Sequence, residues 1–485
     1  MWPPSSTLAR AARAAWLAGA LAGCAVGPDY HRPPAPDVTH YVHGGDPTAS
    51  VTAHGAAQRF TPGAQVSADW WRVFGSPALQ QLIERSLAAN PGLAAAQASL
   101  RESEDNLRAG YGIFFPQVAA TAGASRQRTA PLTEGLGGIP NSLFNLFTLS
   151  GSVDYALDIF GGQRRLVEQL GAQVDLQRAT EQAAYLTLVS NVVNTVIARA
   201  AYQAEVQATE ELIGLQREQV RLAQVQVGAG TEPYSTVLSL QSQLDSYQAS
   251  IPQLEQRVAQ SEDLLATLTG QPPAGFAAPA IRLADLHLPG ALPVSLPSTL
   301  LGQRPDILVA EATAHAASAA IGVATAAMLP NVTLHGGYNA NSTTAANLFA
   351  AAGRTWQFGS DISQPLFEGG TLWYKRKAAI DTYRQAAALY RQTVLGAFQQ
   401  VADTLQALAN DASALQAEDE ALDSAGQALH LVQTNYVAGL DTYLDVLNAD
   451  AQYHQAQIAD LQAIATRYQD TVALYVALGG GWWPK

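Results

Sequence analysis

The sequence contains a long internal repeat, and this feature constrains the fold more than any other. Pro91 and Pro116 recur as Pro305 and Pro330, each shifted by 214 positions. Two further motifs recur in the same order at nearly the same distance. They are Phe160-Gly161-Gly162, matched by Phe367-Glu368-Gly369-Gly370, and Gly230-x-x-x-Tyr234-x-x-Val237-Leu238, matched by Gly439-x-x-x-Tyr443-x-x-Val446-Leu447. A duplication of this kind predicts an architecture built from two equivalent halves.

The first 23 residues predict a lipoprotein signal peptide. Arg10 and Arg13 precede a short apolar run that ends in Leu21-Ala22-Gly23-Cys24, a sequence typical of bacterial lipoprotein processing sites. Cys24 is the only cysteine, so it has no internal disulfide partner. We therefore predict a covalent lipid such as palmitate on Cys24, which anchors a chain without spanning the membrane. Ala25 favours the outer membrane as the destination, and an ordinary signal peptide with an incidental cysteine is the alternative.

Composition and motif content exclude several classes of function. The net charge of -13 at pH 7 disfavours binding to nucleic acid. The chain has no Gly-x-Ser-x-Gly, no His-Glu-x-x-His and no P-loop, and its nine histidines show no metal-ligand spacing. We therefore predict a non-enzyme that holds no metal and no cofactor apart from the lipid. The longest uncharged helical stretch, 183–198, is interrupted by polar residues and falls short of ~20 residues, so we expect no transmembrane helix.

Four short segments alternate between apolar and polar residues, as strands with one apolar face do. The segments form two predicted hairpins, 116–158 and 330–365. Each segment is about 9–11 residues long, the length of a tilted membrane strand. A soluble sheet with one buried face is the alternative. Open sheet edges are not tolerated in lipid, so other copies of the chain must complete a membrane sheet, and three copies would give twelve strands. The residues predicted to line the lumen are Asp154, Asp158, His335 and Asp361.

Each hairpin is followed by a long helical pattern without internal proline, at 163–227 and at 371–437. At 1.5 Å per residue, each helix would be about 100 Å long. A plain coiled-coil rod is the alternative, but a rod has no use for hairpins at matching places in both halves. The predicted organisation is a signal peptide (1–23), an extended lipid-anchored segment (24–75), a first repeat (76–270, return helix 233–269), a Pro-rich linker (271–297), a second repeat (298–478, return helix 442–476) and a tail (479–485).

Taken together, these features resemble the outer-membrane efflux family of TolC-type ducts, and within it the lipoprotein branch that serves resistance–nodulation–division pumps. The resemblance covers nearly the whole chain. Its marks are Cys24-Ala25-Val26-Gly27-Pro28-Asp29-Tyr30, Trp70-Trp71, Arg304-Pro305-Asp306-Ile307, Phe367-x-Gly369-Gly370 and Gly439-x-Asp441-x-Tyr443. The resemblance implies a mixed α and β membrane protein, a homotrimer in which each chain contributes four β-strands to a twelve-stranded outer-membrane barrel. A long periplasmic α-helical barrel would continue that barrel.

The resemblance also implies partners and a function. The partners are a periplasmic adaptor (membrane fusion) protein and an inner-membrane resistance–nodulation–division pump. The function is passive: the duct conducts small molecules such as drugs and toxic compounds to the exterior. A duct for protein secretion and a surface-anchored structural coiled-coil lipoprotein are the alternatives.

A gate is predicted at the periplasmic turns that join each long helix to its return helix, 227–233 and 437–441. Asp441 and Asp445 lie one helical turn apart there, so threefold symmetry would make each of them a ring of three carboxylates. The alternative is that both are solvated acids that interact favourably with the helix dipole. Tyr443 and Tyr234 are further gate candidates: they are predicted to pack at the same tips, and a bond that holds the closed state is the alternative.

Overall fold

The computed structural model describes residues 25–34, 36–54, 57–129 and 142–482, and these form two compact units. The first, called here the sheet unit, contains the described residues of Met1–Arg32, Arg101–Leu176 and Ala310–Tyr390. The second, the helical unit, contains those of Pro33–Leu100, Gln177–Val309 and Arg391–Lys485. Each unit draws on both halves of the repeat, so the compact units do not coincide with the sequence repeats.

Helices dominate the described part of the chain. The helices are α1 (Pro77–Ala89), α2 (Pro91–Gly110), α3 (Gly162–Gly228), α4 (Tyr234–Leu268), α5 (Pro297–Leu300), α6 (Pro305–Ala326), α7 (Thr371–Val437) and α8 (Tyr443–Ala477). The strands are β1 (Arg59–Pro62), β2 (Gln117–Thr129), β3 (Ser142–Leu157), β4 (Ala291–Val294), β5 (Asn331–Ser342) and β6 (Arg354–Ser363).

The sheet unit contains a four-stranded antiparallel sheet in the order β2-β3-β5-β6. Each of the four alternating sequence segments lies in one of its strands. The register sets Tyr338 opposite Trp356, and Val118 opposite Val153. Because successive side chains point to opposite faces, this register gathers the apolar residues on one face and the polar ones on the other. The apolar face is open: the exposed fractions of Trp356 and Phe358 are 78% and 77%.

One helix of the sheet unit differs from the expectation. By length and composition, α6 could cross a membrane, whereas the sequence had predicted no such helix. Its polar side chains are engaged within the unit, since Glu311 forms an ion pair with Arg32 at 2.7 Å and His315 lies 3.0 Å from Glu168. These contacts favour a helix that packs against protein.

The helical unit has its own apolar core, which the aromatic pair before α1 helps to build. Trp70 is 1% exposed and stacks on Tyr475 of α8, with the ring centroids 5.1 Å apart. The sequence did not predict the two-stranded parallel sheet that β1 and β4 form beside this core. That sheet joins the N-terminal segment, through β1, to the predicted Pro-rich linker (271–297), which contains β4.

Candidate functional site

The two long helices end in the same way at their tips. At the end of α3, the Gly230 N–H donates to Val227 O and the Thr231 N–H donates to Gln226 O, both at 3.0 Å. Gly439 and Leu440 make the equivalent bonds at the end of α7, at 3.0 and 2.9 Å. Gly230 and Gly439 have φ of +75° and +77°, a conformation that favours glycine. The Gly-x-x-x-Tyr motifs therefore encode two matching helix-terminating turns.

The side chain of Asp445 caps the start of α8. Its carboxylate accepts from the Thr442 N–H at 2.9 Å, while the Asp445 N–H donates to Thr442 Oγ1 at 3.2 Å. These reciprocal bonds form a capping box. The hydrogen bonds from the Thr442 side chain and backbone lower the pKa of Asp445. The geometry therefore favours the helix-start role for Asp445 over a place in a gate.

Asp441 lies in the turn itself, two residues after Gly439, and is half-buried. No hydrogen bond or ion pair within the described residues engages its carboxylate. The equivalent position of the first tip, two residues after Gly230, holds a second half-buried acid, Glu232. The sequence comparison missed Glu232 because it aligned the two motifs by identical residues only. Glu232 and Asp441 occupy equivalent positions but are different amino acids. The shared distance from the glycine is the signal that identifies the pair.

The two tip tyrosines differ in their surroundings. The ring of Tyr443 lies 5.5 Å from that of Tyr436, so within the protomer it packs against the end of α7. Tyr234 is 63% exposed, so within the protomer it does not pack as expected. Pro233 precedes it in extended conformation and starts α4 with Tyr234 facing outward.

Three of the residues predicted to line a lumen share the polar face of the sheet. Asp154 lies opposite His335 in the register, and His335 lies opposite Gly359. The His335 Nδ1 is 3.1 Å from Asp361 Oδ2. A Cβ on Gly359 would lie 2.6 Å from the His335 ring, so the absence of a side chain there makes room for the imidazole. The result is a small charged cluster on the polar side of a membrane-length sheet.

The prediction for Asp158 was wrong. The alternation had placed it on the polar face, but β3 ends at Leu157 and Asp158 turns towards α3. Its carboxylate accepts from the Gln163 N–H at 2.9 Å and pairs with Arg164 at 3.0 Å. Asp158 therefore caps a helix, a role that strand periodicity cannot reveal.

Cys24 lies outside the described residues, but the segment that follows it is firmly bound in the sheet unit. We call residues 25–32 the anchor segment. Arg165, at the start of α3, is 5% exposed and donates to Val26 O at 3.2 Å and to Gly27 O at 3.4 Å. It also forms an ion pair with Asp29 at 2.7 Å. This ion pair lowers the pKa of the Asp29 carboxyl.

Close backbone approach explains the glycines around the anchor segment. A Cβ on Gly322 of α6 would lie 2.9 Å from Val26 O, and one on Gly161 would lie 2.6 Å from the Ala25 Cα. Further along, Tyr30 stacks on His315 with the ring centroids 4.5 Å apart. The Val-Gly-Pro-Asp-Tyr motif therefore binds the anchor segment to the residues that follow β3 and to α6.

We expect Arg165→Ala to release the anchor segment, because the substitution removes the one ion pair and the two backbone hydrogen bonds that Arg165 makes to that segment. Amide exchange of residues 25–30, followed by mass spectrometry, should accelerate at least tenfold, while exchange in the core of α8 stays unchanged. Arg164→Ala is the matched control, since Arg164 bonds to Asp158 and not to the segment. Equal exchange in both variants would contradict this role for Arg165.

A mainly helical chain with a small, openly apolar sheet and two matched helix tips is the fold of an outer-membrane channel protein. The family model described as "outer membrane efflux protein" matches residues 82–271 and 296–480, and the chain belongs to that family. Proteins of this family are transport ducts of the outer membrane and not enzymes.

Known relatives and a solved structure are similar to this protein over most of its length. The toluene efflux pump outer membrane protein TtgC of Pseudomonas putida is 32% identical over 478 residues, which cover 96% of this chain and 94% of the relative. The pyoverdine export outer membrane protein OpmQ of Pseudomonas aeruginosa is 30% identical over 423 residues, covering 85% and 87%. The solved structure of the outer-membrane channel OprN has a TM-score of 0.82 at 27% identity, covering 95% of this chain and 100% of that one.

Proposed function

We propose that this protein is the exit duct of a tripartite efflux pump and conducts small molecules across the outer membrane. An adaptor protein and an inner-membrane pump would deliver the cargo, and this chain would perform no chemistry. The observation that carries the proposal is the sheet, whose strands have membrane-spanning length, an exposed apolar face and a polar face with Asp154 and His335. The first face suits lipid and the second suits a water-filled lumen.

The edges of the sheet support a trimer. Among the described strands, β2 and β6 each have a single neighbour, so each leaves one row of backbone groups unpaired. Such edges are very unfavourable in lipid, and closure into a barrel removes them. Pairing of β2 in one copy with β6 in the next is a head-to-tail contact that closes under rotational symmetry. Three copies would give a barrel of twelve strands, within the range of bacterial outer-membrane barrels.

We place the gate at the two helix tips and assign its charge to Asp441 and Glu232. In a trimer these two positions would supply six carboxylates. Because both side chains are half-buried, their mutual repulsion would be poorly screened when the tips converge. This ring of carboxylates would favour cations over anions. It would also oppose full closure unless hydrogen-bond or ion-pair partners engage the carboxylates.

The gate is tested by single-channel conductance in planar bilayers. We expect the wild type to show a small, cation-selective conductance, and the double variant Asp441→Ala/Glu232→Ala to lose most of that selectivity and to change its open probability. Asp245→Ala removes an exposed acid from the body of α4 and should leave both properties unchanged. If the double variant conducts like the wild type, the gate assignment fails and the duct stands. A wild type that forms no channel and is extracted from membranes without detergent would overturn the duct itself.

Lipidation of Cys24 fits the same arrangement. Ala25 contacts Gly161, four residues after the end of β3, so the lipid would attach close to one end of the sheet. An acyl chain at that point can enter the membrane that surrounds the sheet.

A further inference from the structure

Three side chains of metal-ligand type converge within the helical unit from distant parts of the sequence. His54 lies in the N-terminal segment, Asp419 on α7 and Asp460 on α8, and one potential ligand atom from each lies within 4.8 Å of the others. The His54 Nδ1 is 3.8 Å from Asp419 Oδ1, and the backbone N–H of His54 donates to Asp419 Oδ2 at 3.3 Å. Glu418 adds a further negative charge near Asp460.

Asp460 distinguishes this cluster from an ordinary surface ion pair. The residue is only 4% exposed, and its Oδ1 has no hydrogen-bond partner among the described groups. A buried oxygen without a partner is destabilising, and more so when it belongs to a carboxylate. Because a carboxylate oxygen of Asp460 lies within 4.8 Å of the ligand atoms of His54 and Asp419, a cation bound between the three side chains would give this buried carboxylate a partner.

The segment that carries His54 is held in place by a buried arginine. Arg467 lies two helical turns after Asp460 on α8 and is 0% exposed. It donates to Ala53 O at 3.1 Å and to Gln58 Oε1 at 3.2 Å, on either side of His54. His54 itself has a φ of +51°, which few residues other than glycine adopt. The imidazole is thus presented to the two carboxylates by a fixed backbone.

We propose that His54, Asp419 and Asp460 bind a divalent transition-metal ion of the zinc class. One imidazole nitrogen with two carboxylate oxygens is a donor set that suits Zn²⁺ and leaves a fourth position for water. Ligand atoms about 2.1 Å from a tetrahedral ion lie about 3.4 Å apart, so the ligand atoms, now within 4.8 Å of one another, approach by up to about 1.4 Å on binding. The side chains of His54 and Asp419 are 56% and 43% exposed and are free to make that movement.

The consequence of binding is a cross-link. The ion joins the N-terminal segment to two long helices through His54, Asp419 and Asp460, and it neutralises part of a concentrated negative charge. Asp419 also lines a groove formed by residues of α7 and α8, which gives the ion a route from solvent. Sequence spacing gave no sign of this site, because His54 and Asp419 are 365 residues apart.

Titration calorimetry on the full-length protein tests the site. The protein is purified in detergent with an affinity tag that contains no histidine, treated with EDTA and titrated with Zn²⁺ or Ca²⁺. We expect one Zn²⁺ per chain and no binding of Ca²⁺ at the same concentrations. Asp460→Asn preserves the side-chain shape and should weaken Zn²⁺ binding at least tenfold. The matched control is Asp423→Asn, which changes an exposed acid of the same groove and should bind like the wild type.

His54→Asn gives an independent reading, because His54 is exposed and Asn, like His, tolerates the positive φ at this position, so the replacement should not disturb folding. It should also weaken Zn²⁺ binding at least tenfold, and Zn²⁺ should raise the thermal midpoint of the wild type but not of this variant. The proposal fails if the wild type binds no Zn²⁺. It also fails if Asp460→Asn and His54→Asn bind as tightly as Asp423→Asn, or if Ca²⁺ binds as well as Zn²⁺.

Discussion

Phe358→Lys should prevent assembly of the sheet in the membrane, whereas Gln357→Lys, one residue away, should be tolerated. Phe358 lies mid-strand on the apolar face and is 77% exposed, so in a membrane its side chain would meet lipid. A lysine facing lipid near the bilayer centre costs about 2–4 kcal/mol in each chain. In a trimer the three copies add, which gives ~6–12 kcal/mol in all. Gln357 points to the polar face, where a lysine would remain in water.

The measurement is the amount of heat-modifiable oligomer recovered from outer membranes, compared with the wild type and with Gln357→Lys. We expect Phe358→Lys to be nearly absent from that fraction and Gln357→Lys to be present at the wild-type level. Equal losses in both variants would indicate a general intolerance of charge in β6. Equal recovery of both would mean that the apolar face does not contact lipid, and it would remove the main support for the barrel.

Local periodicity explains why so much of the fold could be predicted from the sequence. Alternation with a period of two identifies both the strands and their faces, because each side chain reverses direction with its residue number. The long helices were predictable because their 67-residue spans contain no proline. The strands β1 and β4 were missed because each has four residues and carries a proline, too little to show a pattern.

Two of the candidate acids bond to the start of a helix, and the reason is the same for both. Asp158 and Asp445 both have the sequence position expected of a functional acid, yet each carboxylate is engaged by backbone N–H groups at a helix start. Short acids commonly accept such bonds, and which of them do so depends on where each helix begins in the folded chain. Glu232 and the cluster around His54 are the opposite case, since no sequence pattern singled them out. Their significance comes from equivalence or proximity in space, which a linear pattern does not record.

A pair of acids in the helical unit should make the stability of the protein fall as the pH rises towards neutrality. Asp470 of α8 is half-buried, and its Oδ2 has no hydrogen-bond partner among the described groups. Burial and a hydrogen bond with Asp411 of α7 raise the pKa of Asp470 from 3.8 to about 7. The bond requires a proton on one of the two carboxyls, because two carboxylates cannot donate to each other.

The direction of the effect follows from proton uptake. Between pH 4 and pH 7 the folded chain keeps a proton that the unfolded chain has already lost, so each increase in pH favours unfolding. The penalty is absent below about pH 4, grows up to about pH 7 and is constant above it. The full difference between the folded and unfolded pKa of Asp470 would correspond to ~4 kcal/mol in the free energy of unfolding. Partial exposure to solvent reduces this to ~1–2 kcal/mol.

Asp470→Asn should therefore be more stable than the wild type at pH 8, by a few degrees in the thermal midpoint, and nearly equal to it at pH 4. The amide can donate to Asp411 at every pH, so the bond no longer depends on a shared proton. The measurement is helical circular dichroism during heating in detergent, from pH 4 to pH 9. Asp403→Asn, which changes an exposed acid on α7, should follow the wild type at every pH. A constant difference between Asp470→Asn and the wild type across the range would contradict the shared proton.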